Sequence, residues 1–188
     1  TASPTASPTA TPLGSICGTV LEDTDNDDVG DATAPIGGAL ISLLDESGLV
    51  VAATTTDSDG DYCFYDLPVG SYTVEETNPT GFVDVTDADG LLVGRSNDDF
   101  DSTILAVSVG PLDNVTSQDF VDEQLRTISG TVTEDTDRND EGDTPIEGSL
   151  VSLISPDGET VLATTTSGTD GSFEFTDVTP DDGYTLVQ

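Results

Sequence analysis

Short runs of Val, Ile, Leu, Tyr, Phe and Thr recur along the whole chain, each bounded by Asp, Gly, Asn or Pro. Within them the apolar residues alternate with period two. Ile16 and Val20 share one parity in their run, as do Tyr62 and Phe64 in theirs. This pattern predicts half-buried β-strands. In the first part of the chain they fall near 15–22, 39–44, 49–56, 61–66, 71–77, 103–109 and 115–122, with a weaker one at 82–86. Aromatic residues (Tyr62, Phe64, Tyr72, Phe82, Phe120) come about once per strand pair, as a thin core between two sheets requires. No stretch has helical periodicity, and none approaches the ~18 apolar residues of a membrane helix. The reading is an all-β sandwich with no membrane insertion in this segment.

The pattern then repeats. Residues 16–23 read ICGTVLED and residues 128–135 read ISGTVTED. The correspondence continues through Asp25/Asp137, Gly30/Gly142, Asp31/Asp143, Pro35/Pro145, Ala53–Thr56/Ala163–Thr166, Asp59/Asp170 and Tyr72/Tyr184. A period of about 110 residues is that of a small domain, not a solenoid turn. The expected organisation is a stem at 1–13, one sandwich at 14–125 and a second at 126–188. The second copy stops soon after the strand matching Tyr72–Glu75, so it lacks counterparts of residues 77–123. Those strands are expected from further sequence of the same polypeptide or from a neighbouring copy, which makes the chain its own partner in an array or fibre. Without Met or a signal peptide at its start, it reads as a mature or excised stretch. No Gly- or Pro-rich spacer separates the copies, so stiff coupling is expected.

The stem is a four-residue repeat, TASPTASPTATP. Regular Pro favours polyproline II, about 37 Å over twelve residues. Ser/Thr-rich tracts with Pro are typical O-glycosylated stalks, so Thr1, Ser3, Thr5, Ser7, Thr9 and Thr11 are candidate glycosylation sites. Asn114-Val115-Thr116 is a sequon that makes Asn114 a candidate for an N-glycan.

Charge sharpens this picture. There are 38 acidic residues and 3 basic ones, Arg95, Arg126 and Arg138, with neither Lys nor His. A net charge of −35 excludes nucleic acid as a partner. It also calls for counter-ions. The acids crowd into loops that recur in both copies instead of scattering over every face, as adaptation to salt would have them. Residues 22–31 read EDTDNDDVGD and 134–143 read EDTDRNDEGD. Alternating Asp and Asn around a Gly offer a hard cation the many oxygens it needs. Candidate Ca²⁺ ligands are Asp23, Asp25, Asp27 and Asp31, then Asp135, Asp137, Asn139 and Asp143, with Gly30 and Gly142 expected to make a tight turn. Asp57, Asp59 and Asp61 form a further candidate set around an Asp-Gly hairpin. A third acid-rich stretch runs from Asp84 to Asp101.

Two cysteines occur in copy one only. Cys17 corresponds to Ser129 and Cys63 to Glu174, and a pair lost together behaves as a disulfide. Both have the parity opposite to the core residues of their strands, which puts them on the outer face. A disulfide places the chain outside the cytosol.

Taken together, IxGxVxEDTD…GD…PIxG…ATTT…DGx[YF]xF…YT and the closing DFVDE resemble the B-repeat domains of bacterial serine-aspartate-repeat surface proteins, the SdrD B-like domains. The resemblance implies a prealbumin-like (immunoglobulin-like) Greek-key sandwich that binds calcium and stacks in tandem as a stalk. Related sandwiches often carry a Lys–Asn isopeptide bond, which a chain without Lys is unable to form. Catalysis is not expected. His and Lys are missing, and the carboxylates lie in turn series, not across a cleft. The function read from the sequence is a calcium-stiffened, extracellular stalk or fibre subunit. The alternative is an adhesin that binds a glycan or a matrix protein.

Overall fold

The computed structural model describes residues 12–89, 102–180 and 183–188. The candidate stem sites from Thr1 to Thr11, and Asp98, Asp99 and Asp101 of the third acidic stretch, lie outside the described residues. The chain is all-β and divides into two compact units between Glu123 and Gln124.

Unit 1 contains β1 (Gly14–Glu22), β2 (Leu40–Asp45), β3 (Val50–Thr55), β4 (Asp61–Leu67), β5 (Gly70–Thr77), β6 (Phe82–Asp87), β7 (Thr103–Val109), β8 (Asn114–Val115) and β9 (Phe120–Gln124). One sheet has the order β4-β1-β9-β6, with β8 also beside β1, and the other has β3-β2-β5-β7. β1 is antiparallel to β4 but parallel to β8 and β9. Ile16 and Val20 of one sheet meet Ile41, Leu43, Val74 and Ile104 of the other, and Phe120 is the largest fully buried side chain. At ~25 cal/mol per Å² of apolar surface removed from water, these contacts supply most of the stability.

The single strand expected at 115–122 is two short ones. Between them Ser117 adopts φ 60°, and the chain passes directly over Gly18. A Cβ on Gly18 would lie 1.8 Å from the Gln118 carbonyl oxygen. The Tyr62 hydroxyl donates to that same carbonyl at 2.5 Å. The crossing therefore needs a glycine below it and a tyrosine beside it.

Unit 2 contains β10 (Arg126–Thr131), β11 (Thr133–Glu134), β12 (Thr144–Pro145), β13 (Leu150–Ile154), β14 (Val161–Thr166), β15 (Ser172–Val178) and β16 (Thr185–Val187). β10 pairs with β15, β11 with β12, and β13 with both β14 and β16. Local devices repeat between the units. Tyr72 donates to the Pro68 carbonyl and Tyr184 to the Thr179 carbonyl, both at 2.8 Å, the tyrosine corner of β-sandwiches. Thr56 Oγ1 donates to the Ile36 carbonyl, and Ser167 Oγ does the same for Ile146.

That last pair corrects the expected correspondence of the Thr runs. Ala52 pairs with Leu43, and Ala163 with Leu153, so Ala52, not Ala53, is the structural equivalent of Ala163. The β13–β14 hairpin carries one more residue than β2–β3. Small core differences also follow from what flanks β10. Among the described residues no strand lies beside it where β8 and β9 flank β1. Ile128, Ile146 and Phe173 are accordingly only partly buried, whereas Ile16, Ile36 and Tyr62 are buried.

Candidate metal-binding loops

The two acidic loops have one conformation. Asp23, at the end of β1, is buried and turns its carboxylate back into the loop. Its Oδ1 accepts from the backbone N–H of Asn26 at 2.8 Å and more loosely from Asp25 and Asp27, while Oδ2 accepts from Asp28 at 2.7 Å. In unit 2, Asp135 accepts from Arg138 at 2.6 Å and from Asp140 at 3.0 Å, the same relative positions. Asn26 and Asp28 have φ 61° and 63°, and Arg138 and Asp140 have 67° and 66°. Left-handed backbone at these non-glycine residues is held by the Asp cap that each loop folds around.

The caps bring carboxylates together. Oxygens of Asp23, Asp25 and Asp27 all lie within 4.8 Å of one another, as do those of Asp135, Asp137 and Asp143. Their mutual repulsion disfavours the ionised form of the middle acid. The Asp25 carboxyl is pushed above the ordinary range, chiefly by Asp27, with further contributions from burial, Asp31 and Asp23. Asp31 and Asp143 are held below that range by the Thr24 and Thr136 hydroxyls and backbone amides. Asp31 and Asp143 are fastened alike, to Thr24 and Thr136, yet only Asp143 belongs to the convergent triad of its loop. Asn139 Oδ1 accepts from the Glu141 backbone N–H within the second loop.

Gly30 and Gly142 do not make the tight turn expected of them. Neither has positive φ. A Cβ on Gly30 would meet the Leu21 side chain at 2.7 Å, and one on Gly142 would meet Thr133 Oγ1 at 1.8 Å. They are glycine because the returning loop lies against the strand.

The set at Asp57, Asp59 and Asp61 is not convergent in this way. Asp57 Oδ1 accepts from the Asp59 and Asp61 backbone N–H groups at 2.9 and 3.0 Å, and Gly60 takes φ 77°. Asp57 thus shapes the turn between β3 and β4, which lie in different sheets, so the hairpin expected at Asp59-Gly60 is instead a crossing from one sheet to the other. In the third stretch, Asp89 accepts from the Leu105 N–H at 2.7 Å, which fastens the end of the β6 segment to β7.

Cys17 and Cys63 face each other in the β1–β4 register and are joined, with Cα atoms 4.2 Å apart. This is the closely spaced type of antiparallel pair. Ser129 and Glu174 occupy the same register in unit 2. Asn114 is exposed in β8, and its Oδ1 accepts from Ser15 Oγ.

One group was missed by reading acids as loop residues. Glu76 of β5 and Asp122 of β9 are buried between the sheets, 7% and 0% exposed. The signal was parity: Glu76 alternates in step with Tyr72 and Val74, and Asp122 with Phe120. Both carboxyls are raised above the ordinary range, mainly by burial, then by neighbouring carboxylates, including Asp84 of β6.

The SdrD B-like domain model matches residues 14–119. The chain belongs to the SdrD B-like domain family. SdrD B-like domains of this kind are non-enzymatic repeats of extracellular surface proteins. Among relatives, the chain is 33% identical over 162 residues to serine-aspartate repeat-containing protein D of Staphylococcus aureus strain Newman. That alignment covers 84% of this chain and 12% of the relative. It is 31% identical over 160 residues to serine-aspartate repeat-containing protein F of Staphylococcus epidermidis, over 83% of this chain and 9% of that protein. The chain therefore spans only a small part of the relatives' length. Among solved structures, the Bacillus anthracis TIE protein aligns with TM-score 0.48 at 18% identity, over 93% of this chain and 28% of that one.

Proposed function

We propose that this chain is a stretch of a cell-surface stalk or fibre whose sandwiches are stiffened by calcium at the loops 22–31 and 134–143. The observation that carries the reading is the repetition of one loop conformation, with three carboxylates converged, in both units. Like charges so close together destabilise the loop unless a cation joins them. An all-oxygen donor set of alternating Asp residues suits Ca²⁺ better than Mg²⁺, which demands a smaller octahedral site. Asp23, Asp25 and Asp27 would hold the ion in unit 1, and Asp135, Asp137 and Asp143 in unit 2, with Asn139 as a neutral neighbour.

The open flank of β10 supports the assembly part of the reading. A strand from further chain or from a neighbouring copy would cover Ile128 and Phe173. O-glycans on the stem would complete a stalk, and an intact native mass well above 19.3 kDa would register them.

The test is calorimetry of the full chain with Ca²⁺, with Mg²⁺ and with excess chelator. Calcium should raise the melting temperature in proportion to ln(1 + [Ca²⁺]/Kd), with poor rescue by Mg²⁺. The double variant Asp25→Asn, Asp137→Asn should lose most of that gain. Melting curves that superimpose with calcium and with chelator would refute the reading.

A further inference from the structure

The outermost strand of an open sheet leaves a row of backbone groups unpaired, and proteins blunt such edges with charges, breaks in the strand or a cover. In unit 1 the outer strands are β4 and β6 of one sheet and β3 and β7 of the other. Three of them are blunted. β4 carries Asp61 and Asp66, and Asp66 interrupts it with φ 56°. β6 carries Asp84 and Asp87. β7 is broken by Ala106 at φ 58°, and Asp89 takes its Leu105 N–H at 2.7 Å. β3 has none of these devices. It reads VVAATT, without charge, Gly or Pro, in a chain rich in acids. Its one irregularity lies at Val51, opposite the step from Leu43 to Leu44, and leaves residues 52–55 regular.

Unit 2 repeats the arrangement. β14 reads VLATTT, again uncharged, and is an outer strand of β14-β13-β16. Both edges stand open: Val50 and Val51 are 53% and 49% exposed, and Val161 and Leu162 are 56% and 51%. The ladder fixes where their backbone groups point. Thr56 gives its N–H to the Ala39 carbonyl and accepts from the Gly38 N–H, so it faces β2. Peptide groups alternate sides along a strand, so Thr54 and Ala52 also face β2, whereas Ala53 and Thr55 face away. Ser167 is bonded to Ser149 and Gly148 in the same manner, which turns Thr164 and Thr166 outward. Among the described residues no strand meets these outward groups.

We propose that β3 and β14 are docking edges for a second copy of this chain, which pairs β3 with β3, and β14 with β14, and continues the sheet across the contact. A two-fold axis at Thr54 sets Ala53 of each copy opposite Thr55 of the other, and each such pair exchanges two backbone hydrogen bonds. The same operation at Thr165 sets Thr164 opposite Thr166, a cross-strand Thr pair. Charge selects this occupant. A basic partner is drawn to the acidic loops and finds nothing to recognise on an uncharged edge, whereas a second copy brings a strand of equal length and neutrality. The acids flanking β3 are Glu46 before it and Asp57 after it, and the antiparallel arrangement lays these ends side by side. Association between copies must therefore strengthen with salt, the reverse of what a cationic partner shows. This contact uses neither the loop ions nor the flank of β10, which belongs to a different sheet of unit 2.

Sedimentation velocity of the full chain at fixed calcium, over protein concentration and at low and high NaCl, tests the proposal. Association should grow with concentration and with salt. Hydrogen exchange on the same samples should slow at the amides of Ala53, Thr55, Thr164 and Thr166 and stay unchanged at Ala52 and Thr54, which already bond to β2. The double variant Ala53→Pro, Thr164→Pro removes one outward N–H from each edge and leaves the inner ladders intact, as edge strands permit. It should weaken association by roughly tenfold or more. Thr55→Glu with Thr166→Glu puts like charges along the seam and should do the same. Melting temperatures near that of wild type show that a variant keeps the fold. A wild type that stays monomeric throughout, or that associates no better than both variants, would overturn the proposal. So would edge amides protected only when a lysine-rich peptide is added, since the occupant would then be another chain. Failure of the calcium reading shows separately, in the melting curves with and without chelator.

Discussion

Replacing both cysteines by serine should destabilise unit 1 and leave unit 2 untouched. The bridge joins residues 46 apart in sequence. On the chain-entropy relation a loop of that length costs the unfolded state about 4 kcal/mol at 25 °C, and cutting it returns that freedom. Native contacts change little, because Cys17 and Cys63 lie on the outer face of β1 and β4, and the same register in unit 2 carries Ser129 and Glu174 without a bridge. For a domain of this size, 4 kcal/mol corresponds to a fall in melting temperature of roughly 15–20 °C. Differential scanning calorimetry of wild type and Cys17→Ser/Cys63→Ser at fixed calcium measures it. Unit 2 supplies an internal reference, since its transition should not move. Wild type treated with a reductant should reproduce the variant. If the serine variant melts within a degree or two of oxidised wild type, the bridge does not restrict the unfolded chain as argued. Equal shifts of both transitions would show instead that the two units unfold together.

Phe120→Ala should cost about 3–5 kcal/mol, because it empties the largest fully buried site in the core beside Tyr62; urea unfolding measures it. Asp23→Ala should cost about 1–3 kcal/mol in chelator through the loss of four backbone contacts. The exposed Asp135→Ala should cost less, and hydrogen exchange at residues 25–28 and 137–140 separates the two. In chelator the raised Glu76 carboxyl has a definite sign: its protonated form is favoured in the fold, so its contribution is present below the unfolded carboxylate range and is lost as pH climbs through neutral into alkaline values. Melting curves from pH 4 to 9 should fall less steeply for Glu76→Gln than for wild type, whereas a steeper fall would contradict the burial argument. Asp31 and Asp143 act oppositely, losing their contribution only as pH drops into the acid range.

Strands were legible wherever alternation was long. β1, β4 and β7 lie within a residue or so of the positions read from the pattern, and the weak 82–86 run is a full strand at the sheet edge. The break at 116–119 was not legible, because it depends on a backbone crossing over Gly18 that only the folded sheet creates. Loop acids were recognisable as a group, but their individual roles were not. Asp31 and Asp57 belong to the same residue type as Asp25, yet they spend their oxygens on Thr24 and on the amides of a turn. Glu76 and Asp122 carried a readable sign in their parity. That sign is obscured in a chain where every fifth residue is acidic, since acids are so readily assigned to solvent.

The parallel contact between β1 and β9 has a mechanical meaning. β1 is the entry strand of unit 1 and β9 its exit strand, and they lie side by side running the same way, in register from Val20–Phe120 to Glu22–Asp122. If the chain is drawn out by its two ends, those neighbours are pulled in opposite directions along their own length. Their hydrogen bonds are then loaded in shear, all together, and do not peel open one after another as in a hairpin pulled at its mouth. The Cys17–Cys63 bridge fixes β1 to β4 on its other side, so tension entering at Gly14 passes into the sheet at once. A domain wired in this order holds its length under load until the whole seam gives way.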